Sequence, residues 1–270
     1  MASNVTESLS FYLGNPVTKQ PNIILQGDAT ATEGKLRLTK VDEHGVPVRG
    51  SLGRALHINP VHIWDSETSN VASFFTCFSF SIHALNAKKT ADGLAFFLAP
   101  MDDQPKSGGG YLGLFNRDEK SQQLVAVEFD TYLNKSDEID DPNYLHIGLD
   151  VMKIKSRKVV QWGFENDHEA IVYISYDDTS SNQALKTTLV YPSSGKHYSL
   201  SSTGVDLTEA LPEWVRFGFS AYAGEAETHD VKSWYFASSF GDDAQTLAEP
   251  LKKLNPYLAS NLNLHFGSGK

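Results

Sequence analysis

A period of two governs most of this chain. Phe74, Thr76, Phe78, Phe80 and Ile82 share one side of a run whose other side carries Ser73, Phe75, Cys77, Ser79 and Ser81. Val215, Phe217 and Phe219 alternate with Trp214, Arg216 and Gly218, and Ile171, Tyr173 and Ser175 with Val172, Ile174 and Tyr176. Leu185, Thr187, Leu189 and Tyr191 make a further run. Successive side chains of a strand point to opposite faces, so each run reads as a half-buried strand. Turn signals separate the runs: Glu43-His44-Gly45, the glycines at 108–110, Asp177-Asp178 and Ser193-Ser194-Gly195. Many short strands with regular turns predict an all-β fold, a jelly-roll sandwich of antiparallel sheets packed face to face. The chain has 270 residues, and a single β-sandwich domain spanning residues 1–240 accounts for most of them. From Gly241 the pattern changes. Residues 245–254 have the composition of a short helix, but Pro250 interrupts it. Residues 241–270 are therefore expected to form a loosely ordered or disordered tail.

Charge narrows the partners. The net charge is −10, and no basic run of the kind that tracks a phosphate backbone is present, so no nucleic-acid partner is expected. No apolar run approaches the roughly 20 residues of a membrane helix, and no membrane insertion is expected. The N-terminus lacks an apolar signal region. The lone cysteine, Cys77, excludes an intramolecular disulfide and reads as a small buried strand residue.

The chemistry concentrates between residues 125 and 150. Glu128 and Asp130 follow an apolar run and lie two apart, so in a strand they share a face. Side-by-side carboxylates raise each other's pKa unless a cation lies between them. Asn134, Asp137, Glu138, Asp140 and Asp141 add oxygen donors on the following loop, and His146 adds a nitrogen at the next strand. Oxygen-only sites suit calcium, and carboxylates with one imidazole suit manganese or another first-row metal. A solvated acidic loop beside an ordinary strand histidine would show the same residues. A retaining glycosidase would need an acid and a nucleophile about 5 Å apart; Glu128 and Asp130 begin such a pattern, but Tyr132 holds the next position on that face and no third carboxylate completes it. No catalysis is expected.

Residues 125–132 (VAVEFDTY) with 141–150 (DPNYLHIGLD) resemble the metal-binding signature of the legume lectins. The resemblance continues, in order, through residues 25–29 (LQGDA), 51–55 (SLGRA), 62–65 (HIWD), 91–100 (ADGLAFFLAP), 109–115 (GGYLGLF), 211–220 (LPEWVRFGFS) and 228–234 (THDVKSW). It covers roughly residues 8 to 240 and implies a concanavalin-like sandwich with a flat back sheet, a curved front sheet and a small top sheet. It also implies one Ca²⁺ and one Mn²⁺ beneath a shallow sugar pocket. Glu128, Asp130, Asp141 and His146 would hold the manganese, with Ser156 reaching it through water. Asp130, Asp141, the Tyr132 carbonyl and Asn134 would hold the calcium. The loop between Asp130 and Asp141 is longer than in many members, so Asp137 or Glu138 is the alternative to Asn134.

By the same resemblance the sugar contacts fall to Asp92, Gly110, Tyr132, Asn134 and the loop containing Glu225 and Ala226, with a cis peptide before Asp92. A sugar hydroxyl both donates and accepts. Asp92 would accept, the Asn134 amide and the N–H groups of Gly110 and Ala226 would donate, and Tyr132 would cover the apolar face of the ring. The short loop at 224–228 resembles that of mannose/glucose binders, so mannose or glucose is the expected sugar. A galactose-type lectin, or a lectin-like defence or storage protein with an impaired sugar site, is the alternative. The resemblance further implies glycan or glycoprotein partners, a homodimer or homotetramer formed through the back sheets, and a secretory-pathway protein of seed vacuoles or the extracellular space.

Overall fold

In a computed structural model the described residues are 8–14, 22–32, 34–118, 120–136, 139–178 and 183–267. The alternating runs form two eight-stranded sheets whose strand pairs are all antiparallel. The first sheet runs in the order Lys196–Ser202, Ala184–Tyr191, Ala170–Asp177, Ser73–Ala84, Glu227–Ser239, Lys35–Arg37, Thr30–Thr32, and Ser8–Leu13 also pairs with Glu227–Ser239. The second runs Lys158–Gln161, His146–Val151, Val125–Asp130, Asp92–Pro100, Trp214–Ala223, Ser51–His57, Ile23–Gly27, and Val61–His62 pairs with Trp214–Ala223. A separate top sheet is not formed among the described residues. The Val41–Pro47 and Trp64–Val71 pairs are isolated bridges.

The inward faces carry the residues that the period of two selects. Phe78 and Phe80 of the first sheet meet Phe96, Phe129, Phe217 and Phe219 of the second, with Trp234 and Phe236 beside them. Phe78 and Phe219 lie edge-on with centroids 4.8 Å apart, and Phe217 stacks on Phe236 at 3.9 Å. Aromatic pairs of this kind add to the area they bury. On the outer side of the second sheet, the segment around Tyr111, Leu112, Leu114 and Phe115 packs onto Leu56, Ala95, Phe97 and Ala126. That covering fixes the glycine turn at 108–110 over the sheet.

The tail departs from expectation. Rather than hanging loose, it forms the short helices Ala244–Ala248, Leu251–Leu254, Pro256–Ala259 and Leu262–Phe266. Their apolar residues Leu247, Leu251, Leu258 and Leu262 pack on Phe75, Cys77, Ile171, Tyr173, Val190 and Tyr235, the outer face of the first sheet. Polar tips of that face complete the tail's backbone: Tyr173 donates to the Leu258 carbonyl at 2.6 Å and Tyr235 to the Leu247 carbonyl at 2.7 Å. Pro250 does not prevent this, because Asp243 and Asn255 cap new turns on either side of it and Pro256 follows its cap at the first helical position. Cys77 is buried between sheet and tail, and burial pushes its thiol pKa well up.

Candidate functional site

Register builds the site. Glu128 pairs with Gly148 and Ala95, and Asp130 with Gly93. Val125, Val127 and Phe129 point into the core, so Glu128 and Asp130 point outward. On the adjacent strand His146, Gly148 and Asp150 share that outward face. The structure thereby gathers Glu128, Asp130 and His146, whose ligand atoms lie within 4.8 Å of one another and which could hold a metal ion. His146 Nε2 lies 3.0 Å from Glu128 Oε1. Ser156 Oγ lies 2.7 Å from Glu128 Oε1 and 2.6 Å from Asp150 Oδ1, within hydrogen-bond reach of both.

Asp150 is a residue the sequence reading did not assign. It is fully buried, and burial first, then the Glu128 charge, holds its carboxyl well above the usual range. Its signal was the alternation His146, Gly148, Asp150. Asp130 is likewise held well up by burial, then by Glu128 and Asp141, and Asp141 is raised chiefly by burial. Burial pulls His146 down, but its hydrogen bond to Glu128 and the charges of Glu128 and Asp141 prevail, leaving its pKa raised. Burial first and mutual repulsion second raise these Asp carboxyls, and a cation among their oxygens would favour the ionised forms. Packing over Gly148 is close. A Cβ on Gly148 would lie 2.4 Å from Glu128 Oε1 and 2.3 Å from Ser156 Oγ. Only glycine lets those two groups keep their places.

The loop beyond Asp130 links this cluster to the glycine turn. Tyr132 N–H donates to Asp130 at 2.6 Å and Asn134 N–H to Asp141 at 2.6 Å, while Asp141 N–H returns to the Asn134 carbonyl at 3.2 Å. Trp162 donates to the Asp130 carbonyl and Thr90 to the Thr131 carbonyl, pinning the strand end. The Asn134 amide lies against Gly110, where a Cβ would come within 2.4 Å of it. Tyr132 is 47% exposed, its ring available to solvent. Asp137 and Glu138 lie outside the described residues.

Asp92 begins the strand Asp92–Pro100, which pairs with Val125–Asp130. Its preceding peptide is cis, as the resemblance implied. Its carbonyl accepts from Thr131 N–H at 2.9 Å, and burial first, with Glu227 next, pushes its carboxyl up to about 7. Gly224 crowds the same carboxylate: a Cβ there would lie 2.5 Å from Asp92 Oδ2. In the next turn, Glu225 N–H donates to the Ala91 carbonyl at 3.1 Å and its carboxylate pairs with Arg49, while the Ala226 carbonyl accepts from Leu85. The Glu225 side chain is thus engaged by Arg49, a partner 176 residues away that no local pattern could suggest. A cavity of about 490 Å³ opens beside this arrangement, bordered by the glycines at 108–110, Tyr111, Arg117 and Asn134.

Known proteins resemble this chain. A seed lectin of Vatairea macrocarpa is 54% identical over 86% of this chain and 95% of its own length. The 2-acetamido-2-deoxy-D-galactose-binding seed lectin 2 of Cytisus scoparius is 51% identical over 86% and 97%. Among solved structures, lectin UEA-II complexed with galactose superposes with a TM-score of 0.78 at 46% identity, over 85% of this chain and 98% of that one. With residues 8–253 matching the model of the legume lectin domain, the chain belongs to the legume lectin family, carbohydrate-binding proteins rather than enzymes.

Proposed function

We propose that this chain is a metal-dependent lectin for terminal galactose or N-acetylgalactosamine. The observation that carries the reading is the convergence of three separate segments, Asp92, Gly110 and Asn134, over a carboxylate–imidazole cluster. In this reading Mn²⁺ is held by Glu128, Asp130, Asp141 and His146, with Ser156 through water, and Ca²⁺ by Asp130, Asp141, the Tyr132 carbonyl and Asn134. The donor set supports this, as does Gly148, which lets Glu128 and Ser156 approach each other over the strand. The ions supply positive charge that keeps the carboxylates ionised and the loop 130–141 in place. The protein groups do the recognition. The Asp92 carboxylate accepts from sugar hydroxyls, the Asn134 amide and the N–H groups of Gly110 and Ala226 donate, and the Tyr132 ring covers the apolar face of the pyranose.

The mannose/glucose preference expected from the short 224–228 loop gives way to a galactose-type reading. Its support is that a relative at 51% identity is described as binding 2-acetamido-2-deoxy-D-galactose and a structural neighbour at 46% was solved with galactose. The seed and bark lectins among the relatives support a secretory or vacuolar protein. Self-association into a dimer or tetramer would make binding multivalent. Because the tail covers the centre of the first sheet's outer face, the edge strand Ser8–Leu13 is the surface we assign to it.

Calorimetry with both metals present tests the sugar. Methyl galactoside should bind in the millimolar to sub-millimolar range, about −4 to −5 kcal/mol, and methyl mannoside should not. Mannoside binding without galactoside binding refutes the preference, and silence across a metal-replete glycan array refutes the lectin reading. Asp92→Ala should abolish binding with the metal content of the dialysed protein unchanged.

A further inference from the structure

Asn-X-Ser/Thr, with X other than proline, is the acceptor pattern for an N-linked glycan. The chain carries it at Asn4-Val5-Thr6, outside the described residues, and at Asn134-Lys135-Ser136. The second falls on the loop between Asp130 and Asp141, on a residue that the reading above gives to both the calcium and the sugar. An acceptor asparagine ordinarily stands on the surface. Lys135 and Ser136 are exposed, but the Asn134 side-chain nitrogen Nδ2 is buried. It faces Gly110, where an added Cβ would lie 2.4 Å from it. A nitrogen packed that closely has no room for a pyranose ring. The backbone holds it there. Asn134 N–H donates to the Asp141 carboxylate at 2.6 Å, and Lys135 Nζ donates to the Asp141 carbonyl at 2.8 Å. The Ser136 carbonyl accepts from Asp140 N–H at 2.8 Å. Gly110 reaches Asn134 only in the folded chain; before folding the amide is open to a transferase.

We infer that Asn134 is an N-glycan acceptor, open before folding and closed after it, and that a glycan there and a working sugar site exclude each other. The inference rests on the sugar reading and the secretory route proposed above, and deepens them by giving that site a covalent control. The donor is a saccharide carried on a lipid pyrophosphate. The Nδ2–C1 bond forms as the C1–O bond breaks, the lipid pyrophosphate leaves with the electron pair, and the amide loses one proton. A modified Asn134 has to turn its side chain outward to seat the glycan. That movement takes the amide donor away from Gly110 and out of the pocket. Chains that fold first bind sugar, and chains modified first do not.

The test produces the full chain in a secretory eukaryotic host and in the bacterial cytosol, which lacks the lipid-linked donor. Both products, dialysed against Ca²⁺ and Mn²⁺, pass over immobilised galactose, and peptide mapping distinguishes a glycan on Asn134 from one on Asn4. The bacterial chain should be retained. The secreted chain should divide, with the Asn134 glycopeptide confined to the unretained fraction. Trimming that fraction to a single N-acetylglucosamine should not restore retention, because the first sugar already displaces the amide. Ser136→Ala destroys the acceptor pattern and leaves Asn134 in place, so this secreted variant should be retained throughout, whereas Ser136→Thr keeps the pattern and should divide as the natural chain does. A secreted natural chain without glycan on Asn134 overturns the inference alone. So does an Asn134 glycopeptide in the retained fraction, or retention regained by trimming. Failure of both the bacterial chain and the secreted Ser136→Ala variant to bind overturns the galactose reading and this inference with it.

Discussion

Mild acid should loosen the tail through one histidine. His265 on the last helix is fully buried, its ring nitrogens 3.0 Å from Thr188 Oγ1 and 2.9 Å from Ser175 Oγ. Lys186 donates to the His265 carbonyl, and Phe75 and Tyr173 pack against the ring. Burial, and then the Lys186 charge, lower the imidazole pKa to about 3. An undocked tail would return it to about 6.5. A pKa depressed on docking favours docking fully above 6.5, and that support is lost as pH falls from 6.5 toward 3. Between pH 7.5 and pH 5 the loss is about 2 kcal/mol, a roughly 30-fold rise in the undocked population, and it stays near that value for any docked pKa below about 4. Hydrogen exchange of amides in residues 244–266, corrected for intrinsic rates, reads this opening directly. His265→Gln keeps a donor and an acceptor but cannot titrate, so its tail protection should not follow the same slope. Equal protection at the two pH values in the natural protein, or an equal loss in His265→Gln, would refute the argument.

Gly148→Ala should weaken metal binding by tenfold or more while the sandwich stays folded, because its methyl displaces both Glu128 and Ser156; competitive chelation measures it, and unchanged affinity would remove Glu128 from the ligand set. Asp103→Ala should destabilise the chain by about 3–5 kcal/mol, since Arg54 is fully buried and its guanidinium lies 2.8 Å from Asp103 and over the Phe97 ring. Denaturant unfolding under fixed metal concentration checks this, and a loss below about 1 kcal/mol would show that water reaches Arg54 once the carboxylate is gone.

The inner faces of both sheets were legible because burial on one side imposes a period of two, and no rival pattern competed in runs such as 73–82. The site was legible for a different reason. Glu128, Asp130 and His146 lie close in sequence on two neighbouring strands, so local spacing and strand alternation suffice to put them on one face. Gly110 and Asn134 meet only through the fold of the covering loop, and they, like Asp92, follow from the resemblance rather than from any pattern in the residues themselves. Asp150 falls on the same alternation that places His146, two positions beyond Gly148.

The tail shows where the sequence speaks softly. Its helices are four or five residues long, too short for a helical period to rise above noise, and isolated helices of that length do not persist in water. What holds them is the sheet they cover. A sandwich whose outer face met solvent would carry polar residues at 75, 77, 171, 173 and 235; this chain carries Phe, Cys, Ile, Tyr and Tyr. Those residues could not all face the core, because Phe74, Phe78, Val172, Ile174, Trp234 and Phe236 already did. Two apolar faces on one sheet require two coverings. The second covering had to come from this chain or from a partner, and the tyrosine hydroxyls that reach the Leu258 and Leu247 carbonyls show that the tail supplies it.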